Sequence, residues 1–122
     1  MFLSIWQALP TSIQPELTLI DWSIREIHCP RGIERVLVGY CTENREGRTS
    51  SAIESIDPKS LICTTASGRV YSLHGRPRHN SDADFVFSGW KRANDVTQTS
   101  DVTRELWEEH LRLTAGDQAQ PD

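Results

Sequence analysis

The clearest alternation of apolar and polar residues lies in residues 17–27, where Ile20, Trp22 and Ile24 are separated by polar residues. Successive side chains of a strand point to opposite faces, so this spacing predicts a half-buried strand with these three side chains on one face. Proline and glycine within residues 29–32 predict a turn that ends the strand.

A second apolar segment lies in residues 33–41, which contain a continuous apolar run. Because such a run can be buried on both faces, it predicts a central strand rather than an edge strand. Residues 42–51 are polar and are predicted to form an exposed loop, and residues 52–56 are predicted to form a short strand. The proline within residues 57–60 predicts a turn.

A β-hairpin is predicted in residues 61–73, because apolar and β-branched residues alternate on both sides of Ser67 and Gly68. Gly68 can adopt a positive φ without steric cost, which suits a short reversal of the chain. Residues 75–80 contain Pro77 among basic side chains, so they predict a loop that carries positive charge.

Two helices are predicted after this loop. The first has Ser81 as its N-cap and ends at Asn94, and its first turn contains the acidic residues that favour a helix start. Its apolar face consists of Ala83, Val86, Phe87, Trp90 and Ala93. The second helix has Ser100 or Asp101 as its cap. One side of it contains Val102, Leu106, His110 and Leu113, with Trp107 and Leu111 nearby.

Together these elements predict an α+β fold, with an antiparallel meander of about five strands, open or curled toward a small barrel, followed by two C-terminal helices. The helices are expected to pack on one face or end of the sheet. Residues 1–115 are predicted to form a single domain, and residues 116–122 a polar tail. Residues 1–9 are apolar but lack the features of a signal peptide, so a structural role is expected.

Composition restricts the cellular setting. The 122 residues contain no stretch of the ~20 apolar residues that a membrane span requires, so no membrane partner is expected. Three cysteines at wide spacing disfavour a disulfide framework and predict a reduced, cytoplasmic setting. The cysteines and histidines have no metal-ligand spacing, so neither a metal nor another cofactor is expected.

Catalytic chemistry finds little support in the sequence. A nucleophilic cysteine needs nearby cations or a helix N-terminus, whereas all three cysteines fall in predicted strands or turns. Glu108 and Glu109 are adjacent, which is more typical of a solvated helix face than of a general acid and base. The sequence therefore predicts that the protein is not an enzyme.

Charge is distributed unevenly along the chain. Residues 1–80 contain nine basic and eight acidic groups, whereas residues 81–122 contain four basic and nine acidic groups, for a net charge of −4. A net acidic chain is not typical of a general nucleic-acid binder, because cations that neutralise phosphate supply most non-specific affinity. The acidic C-terminal third could instead offer carboxylates to a basic partner.

The strongest candidate binding patch consists of Arg69, Tyr71, His74, Arg76, Arg78, His79, Lys91 and Arg92. Guanidinium groups can hold a phosphate or a carboxylate through two parallel hydrogen bonds. The alternative is that these cations solvate a turn and pair with Asp82 and Asp84. A contact through acidic residues, at Glu105, Glu108 and Glu109 of the last helix, also stays open.

Residues 67–73, residues 81–87, Trp90 and residues 95–97 resemble segments of small uncharacterised proteins of proteobacterial phages and plasmids. The resemblance covers about the last half of the domain and includes no known catalytic residue. It implies a mobile-element setting, in which compact acidic proteins bind and block host nucleoprotein defence complexes, as anti-CRISPR proteins do. We therefore expect a protein partner and a non-enzymatic inhibitor or adaptor. The alternative is a nucleic-acid-binding regulator that uses the patch in residues 69–79.

Overall fold

The computed structural model describes residues 10, 11 and 13–118, with side chains described as far as Ala115. These residues form one seven-stranded mixed sheet and two helices, which confirms the predicted α+β class. The predictions for residues 1–9 and 119–122 lie outside the described residues. In chain order the elements are β1 (Glu16–Cys29), β2 (Gly32–Cys41), β3 (Glu46–Thr49), β4 (Ile53–Asp57), β5 (Ile62–Thr65), β6 (Val70–Leu73), α1 (Ser81–Ala93), β7 (Gln98–Asp101) and α2 (Thr103–Gln118).

The strands lie in the order β3-β2-β1-β6-β5-β4, and β7 pairs with the last part of β1. β1 with β2 and β5 with β6 form antiparallel hairpins, as the sequence predicts. β1 and β6, however, run parallel, from the pair Glu16 and Val70 to the pair Leu19 and Leu73. The prediction of a purely antiparallel meander is therefore wrong. The sheet is also not closed into a barrel, because β3 and β4 end the strand order.

The length of β1 explains this topology. It has 14 residues, whereas β6 and β7 have 4 residues each, so a single edge of β1 accommodates both short strands. β6 pairs with the start of β1, and β7 pairs with residues 25–28 near its end. The sequence does not indicate β7, because all four of its side chains are polar and exposed.

A β-bulge divides β1 into two parts. Asp21, which has a φ of +47°, and Trp22 together oppose Gly39 of β2. The extra residue reverses the alternation of faces, so Leu19 and Trp22 point to the same side and are both fully buried. The prediction that Ile20 shares the face of Trp22 is therefore wrong, and Ile20 is 36% exposed.

Residues 42–51, predicted to form an exposed loop, contain β3, which forms a hairpin with β2. Residues 47–50 are buried, and α1 packs against this strand. A Cβ atom at Gly47 would lie 2.6 Å from the carbonyl carbon of Asp82 and 2.7 Å from the Cα atom of Ala83. A glycine in a polar segment is typical of a turn, but here it marks the close approach of two backbones.

The two helices pack on opposite faces of the sheet, because Val36 and Leu37 are neighbours in β2 and belong to different cores. The core under α1 consists of Ile27, Val36, Val38, Ala83 and Phe87, with Trp90 and Val96 at its margin. The core under α2 consists of Leu17, Leu19, Trp22, Ile24, Leu37, Cys41, Leu61, Cys63, Tyr71 and Leu73, with Leu106 and Trp107 packed against it. The prediction that both helices share one face or end is wrong, since the apolar run of β2 needs cover on both sides.

The helix ends are close to those predicted. The N-cap of α1 is Asn80, whose side chain accepts a hydrogen bond of 3.0 Å from a first-turn N–H, so Ser81 is the first helical residue rather than the cap. Asn94 ends this helix, as predicted. The carboxylate of Asp101 accepts a hydrogen bond of 2.9 Å from the Thr103 N–H, so it caps α2 from its position at the end of β7.

Candidate binding surface

The loop between β6 and α1, residues 74–80, lies beside the bulge of β1. The indole N–H of Trp22 donates a hydrogen bond of 3.1 Å to the carbonyl oxygen of Gly75. The carbonyl oxygen of Trp22 accepts a second one, of 3.1 Å, from the Arg78 N–H. Because Trp22 is fully buried in the core, these bonds fix the loop at two points.

Four predicted site residues lie on this loop and are exposed: His74, Arg76, Arg78 and His79. The guanidinium groups of Arg76 and Arg78 make no hydrogen bond or ion pair with another side chain in the part of the chain that the structure describes. His74 contacts the hydroxyl of Ser72 through its Nε2 atom at 3.0 Å. The loop thus presents two arginines whose charge is available to a partner.

Arg69 and Tyr71, also predicted as site residues, are buried and lie away from this exposed group. Arg69 is 6% exposed and donates through Nε to the carbonyl oxygen of Gln14 at 3.0 Å. Tyr71 is 1% exposed, and its hydroxyl accepts a hydrogen bond of 2.9 Å from Nε of Arg48. Tyr71 points inward because it shares a face of β6 with Leu73. Both side chains therefore stabilise the fold and offer no surface to a ligand.

Lys91 and Arg92 lie in the last turn of α1, on a different part of the molecule. The Lys91 ammonium lies 5.0 Å from the centre of the Phe87 ring, a cation–π contact. Both cations border a depression that they share with residues 95–99 and with none of the loop residues. The structure therefore separates this pair from the loop with which it was grouped in the prediction.

His79 belongs to a network of charged groups behind the loop. Its Nδ1 atom lies 3.8 Å from Asp84, and its Nε2 atom lies 3.8 Å from Asp101. Arg25, whose side chain is 13% exposed, lies between the same two carboxylates, 3.4 Å from Asp84 and 3.8 Å from Asp101. The predicted alternative, pairing with first-turn carboxylates, thus applies in part, since the His79 imidazole lies beside Asp84 while its Nδ1 atom also lies 3.3 Å from the Arg25 guanidinium. It does not apply to Arg76 and Arg78.

Two apolar side chains of α2 extend the exposed loop. Arg76 and Pro77 border a depression of about 560 Å³ together with Trp107 and Leu111. Leu111 is 48% exposed, and the ring of Trp107 contacts that of Trp22 edge to face, with 6.1 Å between centroids. We call the group of His74, Arg76, Arg78, Trp107 and Leu111 the Arg76 surface. The sequence places Trp107 and Leu111 beside the apolar side of a helix but does not indicate their contact with the loop.

The thiols of Cys41 and Cys63 are buried in the core under α2. Burial raises the pKa of the Cys41 thiol, and it raises that of Cys63 to about 12. Both thiols are therefore protonated near neutral pH and are poor nucleophiles. Among the described side chains, which end at Ala115, no three of the His, Cys, Asp and Glu groups lie close enough to hold a metal ion. No helix among the described residues is both long and apolar enough to cross a membrane.

In comparisons with known proteins, no family model, curated sequence or solved structure matched this chain. Function therefore has to be inferred from the side chains themselves. The Arg76 surface combines two arginines, a tryptophan edge and a leucine. This composition is typical of protein interfaces, where arginine and aromatic residues are enriched.

Proposed function

We propose that this protein is a non-enzymatic binding module, an inhibitor or adaptor, that contacts an acidic site of a partner protein through the Arg76 surface. The observation that supports this proposal most is the exposure of Arg76 and Arg78 without a side-chain partner among the described residues. A guanidinium can hold a carboxylate through two parallel hydrogen bonds, which gives both affinity and orientation.

The rigidity of the loop also favours a binding role. Two hydrogen bonds to Trp22 hold its backbone at Gly75 and Arg78, on either side of Pro77. A surface that is ordered before binding loses less conformational entropy when the partner docks. Trp107 and Leu111 add apolar area next to the charges, so the surface can exclude water from an ion pair.

A protein partner fits the described side chains better than a nucleic acid does. Tyr71, the aromatic residue of the predicted patch, is buried, so no base can stack on it. Asp21 borders the same depression as His74, Arg76 and Arg78, so the positive charge there is local and does not form the continuous basic track that a phosphate backbone needs. The resemblance to phage and plasmid proteins extends the proposal to a blocker of a host nucleoprotein complex.

The test is affinity capture from a bacterial host lysate, with and without nuclease. The wild-type chain is compared with a variant that combines Arg76→Glu and Arg78→Glu. A matched control combines Arg45→Glu and Arg92→Glu, which changes the net charge equally at exposed residues that border neither depression of the Arg76 surface. We expect the wild type and the control to capture the same protein, and the loop variant to lose it.

Three results would contradict the proposal. Loss of capture after nuclease treatment would indicate a nucleic-acid binder. Equal loss in the loop variant and in the control would indicate a response to net charge alone. Retained capture by the loop variant would indicate that the contact lies on another surface. The acidic side of α2 would then be the first to test.

A further inference from the structure

A groove of about 390 Å³ lies between β2, β4 and α2. Arg35 lines it from β2, residues 53–56 line it from β4, and Leu106 lines it from α2. β3 pairs only with residues 38–41 of β2, so the earlier part of β2 has a free edge in the part of the chain that the structure describes. Within the same residues β4 pairs only with β5, so its other edge is free as well.

The direction of the free backbone groups on β2 follows from Leu37. Its N–H donates to the Ser50 hydroxyl at 2.9 Å, and its carbonyl oxygen accepts from the Ser50 N–H at 2.9 Å. Both groups therefore point away from β1. Backbone groups alternate in direction along an antiparallel strand, so those of Ile33 and Arg35 point the same way. No described strand pairs with them there.

The free backbone groups on β4 can be assigned in the same way. Ile56 lies opposite Cys63 of β5. Leu61 and Thr65, two residues before and after Cys63, both form backbone hydrogen bonds with the β6 side. Cys63 therefore directs its backbone groups toward β6, and Ile56, as its opposite residue, directs its own away from β5. The groove thus has a donor and an acceptor available on each of its two strand edges.

Apolar side chains line most of the groove, and carboxylates surround it. Its apolar residues are Ile24, Ile53, Ile56, Pro58, Val102 and Leu106. Its charged residues are Arg35, Glu54, Glu105 and Glu109. Arg35 pairs with Glu26 at 3.2 Å, and Glu109 pairs with Arg112. Glu54 and Glu105 have no ion pair among the described residues. The unbalanced charge at the groove is therefore negative.

We propose that this groove binds an extended peptide segment of a partner protein in which apolar residues alternate with lysine or arginine. The segment adds as a strand along the free edge of β2 at Ile33 and Arg35, because Cα atoms of β2 and β4 approach within 8 Å, less than the two strand spacings that pairing with both strands would need. Its apolar side chains enter the groove, and its basic side chains face Glu54 and Glu105. Strand addition of this kind takes affinity from main-chain hydrogen bonds and specificity from pockets for alternate side chains. This site goes beyond the proposed function, because it is separate from the Arg76 surface and selects the opposite charge.

The first test follows individual backbone amides by NMR hydrogen exchange in the full chain. The probe is a short synthetic peptide in which lysine and valine alternate. We expect the N–H groups of Ile33 and Arg35 to exchange fast in the free protein and to become protected when the peptide is added. Protection of both before the peptide is added would overturn the proposal, because the edge of β2 would then be occupied already. Unchanged exchange at saturating peptide would overturn it too.

The second test measures peptide affinity by fluorescence anisotropy. A variant that combines Glu54→Arg and Glu105→Arg is expected to bind the lysine–valine peptide at least about tenfold more weakly, since opposed charges become like charges. The same variant should gain affinity for a peptide in which glutamate and valine alternate. A lysine–valine peptide with central prolines lacks the N–H groups for strand pairing and should bind no variant. Equal affinity of the wild type for all three peptides would contradict strand addition.

A control separates this site from the Arg76 surface. The variant with Arg76→Glu and Arg78→Glu should bind the lysine–valine peptide as the wild type does, because neither arginine lines the groove. If both this variant and the wild type fail to bind, the groove proposal fails while the proposed function stands. If only this variant fails, the peptide depends on residues outside the groove and the groove proposal is again wrong.

Discussion

The two helices are attached to the sheet in very different ways. α1 buries Ala83, Val86, Phe87 and Gly89, and its first turn lies against the backbone of β3 at Gly47. α2 has only Thr103 buried among its described side chains, which run to Ala115. Its apolar residues Leu106 and Trp107 are partly buried, and Leu111 is 48% exposed.

This difference indicates a division of roles. α1 stabilises the fold, whereas α2 uses its apolar residues at the borders of two surface features. Trp107 and Leu111 belong to the Arg76 surface, and Leu106 lies in the groove beside Glu105 and Glu109. A helix that leaves apolar area uncovered next to charged side chains has area to offer to a partner.

The largest expected difference between the helices is the loss of stability when an apolar side chain of each is shortened to alanine. Phe87→Ala should lower the free energy of unfolding by about 3 to 5 kcal/mol, because it empties a site that is 3% exposed. Leu106→Ala should cost only about 1 to 2 kcal/mol, since this side chain is partly exposed already. Urea denaturation of both variants checks the comparison. Equal costs would show that α2 is attached as firmly as α1.

A smaller effect is expected where α1 meets β3. Gly47→Ala should lower the free energy of unfolding by about 1 to 3 kcal/mol, because the new Cβ atom meets backbone atoms that cannot rotate away. Glu46→Ala, in the same strand, serves as a control without a new contact. A thermal melt of Gly47→Ala that matches the wild type would mean that α1 does not lie so close to β3.

An effect confined to alkaline pH concerns the thiol of Cys63, in the core under α2. Burial raises its pKa from 9.0 to about 12, so in this pH range the unfolded chain loses the proton before the folded chain does. The contribution of the protonated Cys63 thiol to the free energy of unfolding is therefore complete below pH 9.0 and is lost as the pH rises toward about 12. Between these two pH values, the free energy of unfolding of Cys63→Val should fall less than that of the wild type, which urea titrations at several pH values would measure. The same dependence of the free energy of unfolding on pH in both proteins would argue against a buried thiol.

Most of the regular elements follow from local sequence patterns. The alternation in residues 17–27, the apolar run of residues 33–41 and the polar residues before both helices are local signals, and they predict the corresponding elements, although the cap of α1 is Asn80 and not Ser81. The α+β class follows from them. β7 could not be predicted, because its exposed polar side chains leave no pattern and only hydrogen bonds to β1 define it.

The candidate surface was harder to predict than the fold. Arg76 and Arg78 stand out in the sequence as cations around a proline, and the structure exposes both. Whether Arg69 points outward depends on the fold, since its guanidinium reaches the carbonyl of a distant segment at Gln14. Trp107 and Leu111 reach the loop only through the packing of α2, for which no local pattern exists.

The pairing of β1 with three strands also affects the order in which the chain folds. β2 follows β1 immediately, so their hairpin can form as soon as both have left the ribosome. β6 and β7 are made much later, and each must close a long loop to reach its place on β1. Because β7 leads directly into α2, we expect α2 to pack on the sheet only after β7 has paired with β1. Until β6 and β7 pair with β1, one edge of β1 has no partner strand in the nascent chain, and chaperones can bind there.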